Sequence, residues 1–328
     1  METKFGFTKL TITEFESWIK KLKVGRTVLK IQQHHTFSPS YVLFKGNNHF
    51  ELQRGMKNYH VTHNGWADIG QHFTIFPDGT ILTGRSLEKS PACITGQNAN
   101  SICIENLGNF DINGDIMTNL QRDAIINVTA ILCTRFSIAV NSNTIVYHHW
   151  YDLNSGVRNN GTKNNKSCPG TNFFGGNKVI DCEKNFLPLI SKKTLSIIPI
   201  TPVVNKVKYV IVNTKSLNIR VSPDALSEKI KDRAAITFGA VLRVFEERNG
   251  WIKISNSLEH WVSGKFTISV VKATVNSDTL NVRSGFDLSF PKIGSFLKGE
   301  EVFVIDEKNG WCKIGMDEKW VSKKFLSF

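Results

Sequence analysis

The 328-residue sequence predicts a multidomain chain. An α/β domain, a mixed sheet flanked by helices, should occupy residues 1–190, and two small all-β barrels residues 207–268 and 269–328. Three observations carry this. Short β-branched runs alternate with amphipathic runs of helical length as far as about residue 190, which is how a helix-covered sheet reads. Residues 191–206 then hold prolines that discourage helix and read as an extended linker. Beyond them one set of signatures occurs twice.

Residues 11–22 open the first domain as a helix, with Phe15, Trp18, Ile19 and Leu22 on one face and Thr13 and Glu16 at capping-box spacing. Val28 to His35 reads as a strand ending in a histidine pair. A helix is expected over residues 47–59, followed by a hairpin around Pro77-Asp78-Gly79. Ser101 to Glu105 is a short strand. Residues 117–136 form the clearest helix: Thr118 and Gln121 have capping-box spacing, and Leu120, Ala124, Ile125, Val128, Ile131 and Leu132 make its buried stripe. Thr144 to His148 closes the series as a strand with a second histidine pair, before a polar loop that ends in Cys168-Pro169-Gly170.

In the C-terminal part, Ser216-Leu-Asn-Ile-Arg220 returns as Thr279-Leu-Asn-Val-Arg283, Asn249-Gly-Trp251 as Asn309-Gly-Trp311, and Trp261-Val-Ser263 as Trp320-Val-Ser322. Asn-Gly before an apolar run is a hairpin signal. These residues resemble bacterial SH3-like domains, and the resemblance implies modules that bind cell-wall peptidoglycan or its attached polymers. Trp251, Trp261, Trp311 and Trp320 are either core residues or part of such a surface.

The formal charge is +13 at a sequence pI near 9.4, which draws the protein toward anionic polymers. The basic residues are spread out, with no basic arm or helix, so nucleic acid is not an expected partner. No apolar run is long enough for membrane insertion. The six cysteines (93, 103, 133, 168, 182 and 312) show no CxxC spacing and no small-domain disulfide framework, so reduced thiols are expected. The N-terminal residues lack a secretory h-region. Synthesis in the cytoplasm and release by lysis or non-classical export are the corresponding expectation.

Two strand-end histidine pairs and a Cys-Pro-Gly turn in one domain are what a catalytic zinc site uses: three nitrogen or sulfur ligands and one open position. Adjacent strand residues face opposite ways, so one member of His34/His35 and one of His148/His149 can reach a shared metal, and spacing alone does not choose. The domain resembles the zinc-dependent N-acetylmuramoyl-L-alanine amidases, the family that includes the peptidoglycan recognition proteins. The resemblance runs through Ile31 to Thr36, Asn58 to Val61, Gly65 to Gly70, Asp78 to Arg85, Ser101 to Phe110, Ile145 to His148 and Cys168 to Gly170.

It implies Zn2+ held by His34, His148 and Cys168, and zinc-activated water cleaving the amide between N-acetylmuramic acid and L-alanine of the stem peptide. Lys166, two residues before the cysteine, falls at the family's oxyanion-stabilising position. Gln71 stands where many relatives have a tyrosine, so Glu105 is expected to carry the proton, its carboxyl raised by burial. His60, Gln71 and His149 are expected along the substrate groove. Tyr147 and His149 replace the family's usual glycine and arginine. The partner implied is a muropeptide, in an endolysin-like or autolysin-like hydrolase. The competing readings are a non-catalytic recognition protein and an exported antibacterial amidase.

Overall fold

The structure, a computed structural model, describes residues 1–197, 207–231 and 233–328. It divides into two compact units, Met1–Leu22 with Val28–Thr201, and Lys23–Thr27 with Pro202–Phe328. Among the described residues no helix is long and apolar enough to cross a membrane.

The first unit is built on a seven-stranded mixed sheet. Its strands are β1 (Glu2–Lys4), β2 (Phe7–Leu10), β3 (Lys30–His35), β4 (Phe73–Ile75), β5 (Ile81–Thr83), β6 (Ser101–Asn106) and β7 (Ile145–Tyr147), in the spatial order β1-β2-β5-β4-β6-β3-β7. β4, β6, β3 and β7 run parallel, and β1, β2 and β5 form the antiparallel edge. The β1–β2 hairpin is absent from the sequence-based expectation. Its turn residues Phe5 and Gly6 both have positive φ, the backbone of a two-residue hairpin loop.

The helices are α1 (Ile12–Lys21), α2 (His49–Thr62), α3 (Asn119–Phe136), a single turn α4 (Val179–Asp181) and α5 (Leu187–Ile197), the last two joined by a π-helical segment over Cys182–Phe186. The cap of α1 differs from expectation. Thr11 and Glu14 form the capping box, two residues before Thr13 and Glu16, because Thr11 is the last residue with extended backbone. On α3 Thr118 caps the backbone N–H of Gln121 as expected, but the Gln121 amide donates to the carbonyls of Ile75 and Leu107 at 2.9 Å instead of returning to the cap. Leu120, expected in the buried stripe, is 63% exposed. Gln121 takes the inward position beside it.

The expected linker is corrected over its first part: residues 191–197 continue α5. Proline restricts the residue before it and removes one hydrogen bond to the preceding turn, so a proline at 199 is compatible with helix over residues 191–197. Residues 198–206 of that linker lie outside the described residues.

The second unit holds two apolar cores. One gathers Val210, Val212, Leu217, Ile219, Leu242, Ile252, Ile254 and Val262, and the other Ala273, Val275, Leu280, Val282, Val302, Val304, Cys312, Ile314, Val321 and Leu326. Strand Thr267–Val275 serves both, pairing with Lys208–Val212 at one end and Glu301–Lys308 at the other. The repeated Asn-Gly turns behave alike: Asn249 and Asn309 have φ of 49° and 51°, and Gly250 and Gly310 have 77° and 75°. Two successive positive φ values give the hairpin turn whose twist matches its strands. Trp261 and Trp320 are buried and Trp251 and Trp311 half-buried, so the repeated tryptophans divide into core and surface pairs.

Candidate metal centre

Strand polarity assembles the site. In the parallel trio β6-β3-β7, Gln33 pairs with Tyr147 and His34 with Glu105, so the carboxyl ends of three neighbouring strands lie side by side. Crevices at such ends are where α/β sheets bind ligands. Side-chain alternation then sorts the residues of β3. Gln33 turns to α3, its amide donating to the Thr129 hydroxyl at 2.9 Å. His34 faces the opposite side, into a groove of about 920 Å³ that Met56, Tyr59 and His60 of α2 help to line.

His148 lies just beyond β7. The expected strand through His148 ends at Tyr147, and residues 148–150 form one 3-10 turn. That turn separates the two imidazoles. His148 faces His34, with ring centroids 4.8 Å apart, while His149 Nδ1 pairs with the Lys166 carbonyl at 2.7 Å. His149 is therefore corrected: it does not line the groove but holds the returning loop.

Cys168 comes back to His34 across that loop. The His149 backbone N–H donates to the Cys168 carbonyl at 2.7 Å, and Asp111 accepts from the Ser167 hydroxyl and the Thr171 N–H, both at 2.9 Å. Gly170 makes the close approach possible. Its φ is +118°, and a Cβ there would come within 2.4 Å of the Phe110 backbone. Cys168 Sγ consequently lies 3.4 Å from His34 Nδ1.

His34, His148 and Cys168 each offer one ligand atom, and these atoms all lie within 4.8 Å of one another. Burial, with help from His148 and Lys166, holds the His34 imidazole well below its ordinary range, and burial with the Lys166 charge holds His148 down to about 3. Both rings are thus neutral at pH 7, the form that binds metal. Burial pushes the Cys168 thiol well above its usual value. A metal arriving here would release that proton. Two neutral imidazoles, one ionisable thiol and an unpartnered buried His34 Nε2 fit a zinc ion.

Glu105 lines the same groove. Its Oε2 is enclosed and has no hydrogen-bond partner, and burial pushes the carboxyl up to about 8 against the opposing pull of the Lys166 charge. Lys166 is an exposed residue on the groove wall. Gln71 also lines the groove, but it is buried and its amide donates to the Thr74 hydroxyl at 3.0 Å. His60 Nδ1 accepts from the Gly70 N–H at 3.1 Å while its ring lies against Trp66, so it builds the wall. Phe73 is core, packed on Phe15 and Trp18. Tyr147 is fully buried against Trp150 and Phe173, away from the groove.

Two features were missed from the sequence. Leu52, Gly55, Met56 and Tyr59 of α2 line the groove, and their spacing of three to four residues was a readable sign of one helix face. The second is a disulfide between Cys93 and Cys103, which corrects the expectation of reduced thiols. Ten residues apart in a chain with no CxxC, the pair carries little sequence signal. The fold brings them together by returning the loop after β5 onto β6, with Cα atoms 6.7 Å apart.

Residues 24–171 match the N-acetylmuramoyl-L-alanine amidase family, and residues 278–327 match the bacterial SH3 domain. Peptidoglycan-recognition protein SC2 of Drosophila melanogaster is 33% identical over 141 residues, 43% of this chain and 67% of that protein. The endolysin of Klebsiella phage KP32 is 28% identical over 99 residues, 29% of this chain and 62% of the endolysin. The solved structure of wild-type Drosophila PGRP-LB aligns at 23% identity over 50% of this chain and 84% of its own, with a TM-score of 0.38. With its strand-end histidines and Cys-Pro-Gly turn set in this sheet, the chain belongs to the N-acetylmuramoyl-L-alanine amidase family and carries a bacterial SH3 domain behind it.

Proposed function

We propose that the protein hydrolyses peptidoglycan at the amide between N-acetylmuramic acid and L-alanine, with His34, His148 and Cys168 holding a zinc ion. One observation carries the reading: three ligand atoms within 4.8 Å of one another share a groove with a carboxyl that is raised to about 8 and has one enclosed oxygen without a partner. Zinc, when bound, supplies a positive charge that acidifies water and polarises a carbonyl. The chain does the rest. The groove walls, with Trp66, Tyr59 and Leu43 as apolar surfaces, orient the muropeptide. Glu105 takes the proton of the attacking water and delivers it to the leaving nitrogen, a role that suits a carboxyl titrating near neutrality. The Lys166 ammonium stands beside the negative charge that develops on the carbonyl oxygen.

The second unit would hold the enzyme on the wall. A groove of about 770 Å³ runs past Trp311, Asn281, Arg283, Lys323 and Lys324, an aromatic and cationic lining suited to an anionic wall polymer.

Purified sacculi incubated with the protein should release new L-alanine amino groups and peptide-free glycan, and a chelator should stop both. Binding without new amines would replace hydrolysis by recognition alone.

A further inference from the structure

The Cys93–Cys103 disulfide borders the metal centre. Cys93 lines the same groove as Glu105 and Cys168, while Cys103 lies in β6, two residues before Glu105. The ligand atoms of His34, Cys93 and Cys103 also fall within 4.8 Å of one another, so His34 belongs to two donor sets. Its Nδ1 is 3.4 Å from Cys168 Sγ, and its buried Nε2 has no hydrogen-bond partner. A ligating histidine ordinarily gives its second nitrogen to a carboxylate, carbonyl or water. Among the described residues Nε2 has no such partner.

We propose that reduction of this disulfide creates a second zinc site, His34 with the Cys93 and Cys103 thiolates, which draws the metal away from His148 and Cys168. In the disulfide the sulfurs are uncharged and are poor ligands. A dithiol reductant attacks one sulfur, the S–S bond breaks, and the reductant leaves as its own disulfide while Cys93 and Cys103 each gain a proton. Metal binding then expels those two protons.

Charge decides which set wins. A divalent ion with two imidazoles and one thiolate keeps one positive charge, whereas with one imidazole and two thiolates it is neutral. A buried site favours the neutral complex, because an uncompensated charge there is costly. The neutral complex also acidifies water less, so the reduced protein should hold its metal more tightly and hydrolyse more slowly. Activity would then follow the redox state of the surroundings.

This inference rests on His34 being a zinc ligand, and cobalt(II) absorption separates the two ideas, because the thiolate charge-transfer band counts cysteine ligands. The full-length protein is loaded with cobalt before and after reduction by a phosphine that is then desalted away under argon. Oxidised wild type should show a one-thiolate band that Cys168→Ser abolishes; a band that survives in oxidised Cys168→Ser refutes the ligand assignment. Reduced Cys168→Ser should regain a band of about twice the wild-type oxidised strength, and Cys93→Ser with Cys103→Ser added to it should remove that band. A reduced Cys168→Ser protein that stays folded by circular dichroism yet shows no thiolate band overturns the second site. A separate measurement uses wild type alone. Zinc should slow alkylation of reduced Cys93 and Cys103 about tenfold or more, and equal rates with and without zinc also overturn it.

Discussion

Glu105 stands directly across from His34 in the parallel pairing of β6 with β3, so the raised carboxyl and the first of the proposed metal ligands share one face of the sheet by backbone register alone. A slip of one strand by one residue would put the two side chains on opposite faces. The pairing yields the most direct prediction. Glu105→Gln keeps the shape and removes the titrating group, so kcat should fall about 10²–10⁴-fold. Gln71→Ala should cost less, and equal losses would mean that Glu105 is not the proton carrier.

The same carboxyl should leave a mark on stability. Its folded pKa of about 8 lies above the ordinary 4.5, so keeping it buried favours the protonated form. That contribution is present below pH 4.5 and is lost as pH rises through 8. Urea unfolding of the metal-free protein should therefore show Glu105→Gln gaining on wild type between pH 5 and pH 8.5. A constant difference across that window would contradict the raised carboxyl.

The histidines give the opposite slope. In the metal-free protein His148 is held down to about 3 and His35 to about 4, chiefly by burial, and both sit below the unfolded value of 6.5. The unfolded chain binds these protons first, so stability is complete above pH 6.5 and is lost as pH falls toward 3. His148 alone accounts for a loss on the order of 4–5 kcal/mol across the window. Denaturant midpoints at pH 7 and pH 5 should differ less in His148→Gln than in wild type.

Cys168→Ser removes the thiolate donor of the proposed centre. Zinc stoichiometry measured on the oxidised protein should collapse, and sacculus cleavage with it, while pull-down on cell walls through the second unit persists. Full activity in this variant would refute the ligand assignment. Gly170→Ala tests the turn that delivers the cysteine. A Cβ within 2.4 Å of the Phe110 backbone, at a φ of +118°, should cost more than about 1 kcal/mol and weaken zinc binding.

The repeated tryptophans should separate stability from binding. Trp261 is fully buried and gives its indole N–H to Glu259 at 2.9 Å, so Trp261→Ala should destabilise the second unit by about 3–5 kcal/mol. Trp311 is half-buried on the groove wall, so Trp311→Ala should reduce wall retention with a much smaller shift in melting temperature. Similar melting losses for both would assign Trp311 to the core.

Much of this protein is legible in its residues. The alternation of β-branched and amphipathic runs predicts the sheet and its helices, the duplicated Asn-Gly-Trp turns predict two hairpins of one kind, and the strand-end histidines with Cys-Pro-Gly point to a metal centre. Those signals are local, because each depends on side-chain period or turn chemistry within a few residues. Tertiary structure decided what local period cannot carry. Strand order set Glu105 on one side of His34 and His148 on the other, and a 3-10 turn in place of strand sent His149 to the Lys166 carbonyl. The inward position of Gln121 left Leu120 exposed, and the return of a loop onto β6 joined Cys93 to Cys103 beside the candidate metal centre. Each of these outcomes depends on which distant segments meet. That is settled by strand register and by the burial of one surface against another, quantities that no single stretch of sequence contains.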